Sequence, residues 1–462
     1  MIIDELIEKL GPDRVLIGED VKERYTHIWK MDQGLDAVAV LLPRSTEELS
    51  KAMSVCHKYG QTVNVHGGLT NLVGATETSE NEVVISLEKM NQIEEVDDTS
   101  RTITVQAGVK LEEVQNAAKD YGLLFPLNFG AKGSAHMGGV ISTNAGGLRV
   151  VRYGMTRALV LGIEAVLADG TIVNSLKKVI KDNSAYDLKH LFVGSEGTLG
   201  IITRAVLKLV ESPKSRNSAF VAFNDFSKVV EFLKFMDGGL AGTMSGFELI
   251  WHDCYVAMTS APATMRPPLP QDYKYYVLIE SLGGDQDTDR ERMQSLLEEA
   301  VEKEMILDAA MALNESDLNW FWTIREDVHV FVSKCTVDQH FDISMPLVHI
   351  GPVVDDILDK LKDIPNVEQE HRFVFGHVAD GNVHLVIGKD TDDPKVTLAV
   401  NDVIYSPLKA LGGSVSAEHG IGTHKKAYLP LCRSEEEITL MKTLKKSMDP
   451  KGILNPGRVF DI

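Results

Sequence analysis

Apolar runs and helically spaced apolar positions alternate along most of this chain. Residues 37–42 are all apolar and end at Pro43, which predicts a strand. Leu49, Ala52, Met53 and Cys56 then recur at i, i+3, i+4 and i+7, one buried face of a helix. Thr46 is placed to cap that helix, Glu47 and Glu48 suit its first turn, and Gly60 ends it. A strand at 62–65 and another at 102–107 follow, then a helix with Leu111, Val114, Ala118 and Tyr121 on one face and Gly122 as its stop. Strands are predicted at 160–167, hairpinned through Asp169-Gly170, at 191–193 and at 200–210. Beyond Ser212-Pro213 the pattern gives strands at 218–223, 275–281 and 371–375 and helices at 226–236, 288–303 and 353–361. Residues 261–272, with four prolines, read as an irregular surface loop, 434–448 as a helix and 450–459 as an irregular tail. The expected class is α+β, with domains at 1–212 and 213–433 and a C-terminal helix and tail at 434–462 returning to the first.

Composition narrows the function classes. A chain of 462 residues exceeds one ordinary core, and its apolar and charged content is that of a soluble globular protein. The net charge of −20 argues against nucleic acid and against anionic membrane surfaces as partners. No apolar run reaches the roughly 18 to 20 residues of a membrane span. The first eleven residues read as a short acidic amphipathic helix and not as a targeting segment. Cys56, Cys254, Cys335 and Cys432 are scattered without a CxxC pair, so neither a thiolate metal site nor a disulfide framework is expected. A reducing, cytoplasmic setting fits this usage.

Two groups of residues carry chemistry. GHVADGNVHL (376–385) and SAEHGIG (416–422) supply His377, His384, Glu418 and His419. Asp380-Gly381-Asn382 suits a turn between paired strands, which would bring the first two imidazoles together. Neutral imidazoles with a carboxylate and an open coordination position make a catalytic divalent-metal site, not a structural one. The second group is glycine-rich: HGGLTNLVG (66–74) after a strand, then Gly133-Ser134, Gly138-Gly139, Thr143-Asn144 and Gly146-Gly147. Paired glycines let backbone N–H groups turn toward an anion. Two such walls suggest an extended ligand with a diphosphate in its middle. Neither GxGxxG nor a P-loop is present, which argues against a nicotinamide-binding domain.

FPLNFGAKGSAHMGGVISTNAGGLRVVRYG and KDNSAYDLKHLFVGSEGTLGIIT are very similar to D-2-hydroxyglutarate dehydrogenases. From about Asp36 to the terminal LNPGRVF the chain resembles the FAD-linked D-2-hydroxy acid dehydrogenases of the vanillyl-alcohol oxidase type fold. The resemblance implies a PCMH-type FAD-binding domain and a ferredoxin-like α+β cap domain. It implies FAD contacts from His66, Gly67, Gly68, Leu69, Thr70, Asn71 and Leu72. The second wall would add Gly133, Ser134, Gly138, Gly139, Thr143, Asn144 and Gly146, together with Glu196, Ile202 and Asn455. Relatives with covalent flavin carry a histidine just after the paired glycines. Here that residue is Leu69, so non-covalent FAD is expected.

The resemblance also implies His377, His384 and Glu418 as ligands of a divalent ion, usually zinc and in some relatives manganese, with His419 as base. Arg325 matches the substrate arginine. The pocket departs from hydroxyglutarate dehydrogenases in three places. His329 stands where they have Thr, His340 where they have Lys, and Val386 where they have Asn. D-2-hydroxyglutarate, D-lactate and D-malate are therefore comparable candidate substrates. An electron acceptor (electron-transfer flavoprotein, quinone or cytochrome) and a homodimer are implied. The rival expectations are a non-redox flavoprotein resembling the alkyl-dihydroxyacetonephosphate synthases, and a non-catalytic FAD-binding scaffold.

Overall fold

The computed structural model describes residues 2–462, and its two units are not consecutive along the chain. The first comprises the residues up to Gly146, Gly154–Ser212 and Glu418–Ile462; the second comprises Gly147–Tyr153 and Pro213–Ala417. The change of unit after Ser212 lies where the proline follows it. Two boundaries differ from the expected division. The C-terminal return begins at Glu418 and not at residue 434, because Thr423 N–H donates to the Val73 carbonyl (3.0 Å) and Val459 N–H to that of Gly422 (2.9 Å). Residues 147–153 leave the first unit because Arg149 pairs with buried Glu280 at 3.2 Å and Arg152 donates to the Thr243 and Leu282 carbonyls.

In the first unit, Val15–Leu16, Ala39–Leu41, Val83–Ser86 and Val63–His66 form one sheet in that order. A second sheet runs Ile93–Asp97, Thr102–Gln106, Ile201–Lys208, Val160–Val166, Ile172–Ser175. The helix Thr46–Tyr59 buries Leu49, Ala52, Met53 and Cys56, the face its spacing gives. Its cap is Ser45, whose extended backbone lets Oγ accept from Glu48 N–H at 3.3 Å. Thr46 is the first helical residue and spends its hydroxyl on Glu164 at 2.6 Å. Residues 191–193, expected as a strand, fall in and after a short helix, Lys189–Phe192, which buries Phe192. Three apolar residues do not separate strand from helix, and the packing of one ring decides. The tail returns beside the first sheet: Leu454 bridges Val63, and Asn455 accepts from Val65 N–H at 2.9 Å while donating to the Glu196 carbonyl at 2.7 Å.

The second unit is built on a ferredoxin-like plait. Strand Ser215–Phe223, helix Phe226–Leu240, strands Met244–Trp251 and Tyr275–Gly283, helix Gln286–Glu302 and strand Asp308–Met311 give a β-α-β-β-α-β order, with the helix His252–Thr259 inserted between the two middle strands. Their order in the sheet is fourth, first, third, second. Val367–Gly376, Asn382–Lys389 and Val337–Ser344 then extend the same antiparallel sheet beyond Met244–Trp251. One face is an apolar core of Phe220, Tyr255, Tyr276, Phe321, Phe331, Phe373 and Phe375. Burying aromatic rings in such numbers gives this sheet a rigid floor on which polar groups can be fixed.

Candidate active site

The two glycine-rich stretches meet inside the first unit. A Cβ on Gly68 would lie 2.0 Å from the Ser134 carbonyl oxygen and 2.9 Å from both Ala135 Cα and His136 N, so the segments touch backbone to backbone. Leu69 is held at φ 56°, and the N–H groups of Gly68 to Leu72 donate to no backbone carbonyl among the described residues. That is the concave donor set an anion requires. Gly138 and Gly139 lie in the helix Met137–Ser142 and differ in what they serve. A Cβ on Gly138 would come within 2.8 Å of the Ala107 side chain, so glycine there lets helix and strand approach. A Cβ on Gly139 would meet nothing within 4 Å, although a helix-interior glycine costs about 1 kcal/mol relative to alanine. The protein does not demand that glycine; a ligand lying against it would. Beside both segments His136 keeps a buried Nδ1 with no partner among the described residues. A cradle with an orphaned nitrogen and an unfilled Cα face fits FAD.

Several side chains implied as FAD contacts are spent on the protein. Asn71 Oδ1 accepts from Val73 and Ala75 N–H at 3.3 and 2.9 Å, closing the loop after the glycines. Asn144 Oδ1 accepts from Arg157 N–H at 2.8 Å, and Thr143 donates back to the Gly139 carbonyl at 3.1 Å. Ile202 lies in the core. Glu196 accepts from Ile421 and Gly422 N–H at 2.7 and 2.8 Å, which fixes the segment carrying Glu418 and His419. Glu418 also lies against Gly146, where a Cβ would come within 2.6 Å of its Oε1. Leu72 is exposed, and Gly133 and Ser134 belong to the wall itself.

His66 is turned away from the glycine cradle: its Nε2 donates to the Thr76 carbonyl at 3.1 Å. Burial lowers its pKa from 6.5 to about 4, so it is neutral in the folded protein. The unfolded chain binds a proton that the folded one refuses between those values, so stability falls as pH drops through that window. Wild type should lose about 3 kcal/mol between pH 6.5 and 4 from this residue. His66→Gln should remove that part of the acid sensitivity, checked by urea unfolding across this range; parallel pH profiles for the two proteins would refute it.

In the second unit, His377 and His384 end and begin the arms of one hairpin. The turn Val378–Asp380 closes through Gly381 at φ +86°, where a Cβ would lie 2.7 Å from the Met345 carbonyl, so only glycine fits. The two imidazole centroids are 5.2 Å apart and nearly perpendicular. Each has a buried carboxylate behind its Nδ1. His377 Nδ1 donates to both oxygens of Glu248, at 2.7 and 2.8 Å, and His384 Nδ1 faces Asp342 Oδ1 at 3.7 Å. Burial alone would raise the Glu248 pKa, but the charges of His377 and Arg325 and their hydrogen bonds hold it below the ordinary carboxylate range. Asp342 also accepts from Asn382 Nδ2 (2.8 Å) and from Ala417 N–H (3.1 Å). Glu418 and His419 follow Ala417 directly in the chain. A histidine that gives its Nδ1 proton to a carboxylate presents Nε2 as the more basic ligand nitrogen, the usual support of a metal-binding imidazole.

Arg325 is also in this constellation. It lies on the helix Glu315–Glu326, is buried, donates through Nε to Glu248 at 2.9 Å, and stacks over Phe375 at 4.8 Å. One edge of its fork, Nε and Nη2, is thus committed to Glu248. His329 is not on that helix. Asp327 breaks it, and His329 is exposed at the start of the next turn, His329–Val332. His340 shares a strand with Asp342 but pairs with Asp338 at 2.6 Å. Val386 packs among the aromatic rings of the core.

Glu248, Asp342 and Asn382 were not anticipated from the sequence, nor was the orphaned His136. A signal existed for the first two. FELIW and HFDIS each set one carboxylate inside an apolar strand, and a buried charge must find a partner.

Similarity to known proteins agrees with both halves. Residues 37–175 match the family described as FAD binding domain, and residues 212–459 match FAD linked oxidases, C-terminal domain. The chain is 35% identical over 453 residues to the mitochondrial D-2-hydroxyglutarate dehydrogenase of Arabidopsis thaliana, covering 98% of this chain and 80% of that one. It is 32% identical over 458 residues to the D-2-hydroxyglutarate–pyruvate transhydrogenase of Saccharomyces cerevisiae, covering 98% and 91%. Among solved structures, a 4-ethylphenol oxidase from Gulosibacter chungangensis superposes with a TM-score of 0.75 over 99% of this chain and 96% of the other, at 18% identity, a likeness of fold alone. FAD is the cofactor that these matches support. The chain belongs to the FAD-linked D-2-hydroxy acid dehydrogenases, oxidoreductases on the vanillyl-alcohol oxidase type fold.

Proposed function

We propose that this enzyme oxidises a D-2-hydroxy acid to the 2-oxo acid with the help of a divalent ion. The observation that carries the reading is the histidine pair His377 and His384 with Glu248 and Asp342 behind their Nδ1 atoms. Bound FAD supplies a hydride acceptor, and a divalent ion supplies a Lewis acid for the substrate hydroxyl. His377, His384 and Glu418 would be the residues that hold the ion. His419 takes the hydroxyl proton as C2 gives up its hydrogen with the electron pair, so the alcohol becomes a ketone and the imidazole an imidazolium. Arg325 Nη1 holds a carboxylate of the substrate. Zinc suits an imidazole–carboxylate set, and manganese is the second candidate.

The D-2-hydroxyglutarate dehydrogenases among the relatives favour D-2-hydroxyglutarate as substrate. The partnership of His340 with Asp338 favours a hydroxy acid without a distal carboxylate, since that imidazole's Nε2 is already engaged by a carboxylate of the protein. Anaerobic mixing with D-lactate, D-malate and D-2-hydroxyglutarate, followed at the flavin absorbance, tests both. Bleaching by at least one D-acid, lost on chelation and restored by zinc or manganese, is the expected result. Bleaching that survives complete metal removal would refute the metal's part. No bleaching by any 2-hydroxy acid would refute the reaction and favour non-redox chemistry on this fold.

A further inference from the structure

Glu248 is a fully buried carboxylate with two partners of different kinds. Its Oε1 and Oε2 both accept from His377 Nδ1, while Oε2 also accepts from Arg325 Nε and lies 2.7 Å from Arg325 Nη2. The three residues come from separate elements: Glu248 from Met244–Trp251, Arg325 from Glu315–Glu326, and His377 from the end of Val367–Gly376. The adjacent strands set the spacing, with Leu249 opposite Gly376 in the ladder. Phe375 closes the triad by carrying the guanidinium on its ring face. By contrast, Asp342 spreads its contacts over Asn382, Ser416 and Ala417 N–H and keeps 3.7 Å from His384, so the two carboxylates are not equivalent.

We propose that Glu248 is a positioning residue that couples metal affinity to substrate-carboxylate binding, because one carboxylate fixes both the tautomer of His377 and the rotamer of Arg325. The inference rests on the metal-assisted reading above and deepens it. The Nδ1 proton of His377 has a carboxylate as its acceptor, so the ring keeps its lone pair on Nε2 and cannot flip without stranding a buried charge. Arg325 cannot swing toward or away from a substrate without releasing the same carboxylate. Removing either partner therefore loosens the other, which a purely structural ion pair at a distance from ligand atoms would not do.

The test is metal affinity, read by competition with a chromogenic chelator on the FAD-loaded protein without substrate. Glu248→Gln is expected to weaken zinc binding about 10–100-fold while flavin content stays at the wild-type level. Arg325→Met, which leaves every proposed ligand in place, is expected to weaken it in the same direction. Unchanged affinity in a folded Glu248→Gln variant would overturn the coupling. Should Glu248→Gln fail to fold, nitrogen NMR of histidine-labelled wild type decides: a proton on Nδ1 of His377 supports the inference and a proton on Nε2 overturns it. If wild type itself binds neither zinc nor manganese, the metal-assisted reading fails first. If wild type binds and His384→Ala does not, while Glu248→Gln binds as wild type does, only the coupling falls.

Discussion

His384→Ala is expected to slow flavin reduction by D-2-hydroxy acids about 1,000-fold, while the protein stays folded and yellow. The magnitude follows from what a bound cation contributes on the proposed reading. Polarising the substrate oxygen supplies several kcal/mol, and roughly 1.4 kcal/mol corresponds to tenfold in rate. The fold should survive because removing the ring strands no charge: Asp342 keeps its bonds from Asn382 Nδ2 and Ala417 N–H. The imidazole also packs against the Phe375 ring, tilted to it at a centroid distance of 5.2 Å, and thermal melting reads what that lost contact costs. Stopped-flow absorbance gives the rate, and thermal melting checks the fold. A rate within tenfold of wild type, or the same rate with and without chelator in both proteins, would remove the metal from the mechanism.

Gly68→Val is expected to yield a protein without flavin. Its Cβ would fall 2.0 Å from a backbone oxygen, and backbone cannot rotate aside as a flexible side chain can. The two glycine walls must part, at an overpacking cost of about 1–3 kcal/mol, and the anion cradle opens with them. Gly139→Ala is the informative contrast. Apart from its chain neighbours and its own helix backbone, no atom of the described residues lies within 4 Å of its Cβ, and alanine favours a helix interior by about 1 kcal/mol, so FAD-free protein should melt at the same or a higher temperature. The same methyl intrudes on ligand space and should weaken FAD binding. Flavin content after dialysis, set beside the melting temperature of the stripped protein, reads both effects. Wild-type flavin retention in both variants would mean that the cofactor lies elsewhere.

Local pattern carried much of the architecture. The helix 46–59 and the hairpin 160–175 need nothing beyond near neighbours: an apolar face at helical spacing, a cap, and an Asp-Gly turn. The same holds for the meeting of His377 and His384, since a tight turn through Gly381 leaves paired strands no other course. Short or sparse patterns failed where local preference is weak. Leu191 and Phe192 became helical, and the cap moved from Thr46 to Ser45 because Glu164, more than a hundred residues away, claims the threonine hydroxyl.

The sequence by itself determined which chemical groups are present: paired glycines with open backbone N–H groups, imidazoles beside a carboxylate, and an arginine. Tertiary structure alone decided how those groups are committed. Glu248 reaches His377 across 129 residues and Arg325 across 77, and no periodicity signals such distances. It also turned His66 inward, spent Asn71 and Glu196 on backbone N–H groups, and left His329 on the surface. The physical reason is that residue type fixes what a side chain can donate or accept, whereas its partner is whichever group the sheet order brings within 3 Å, roughly the reach of a hydrogen bond.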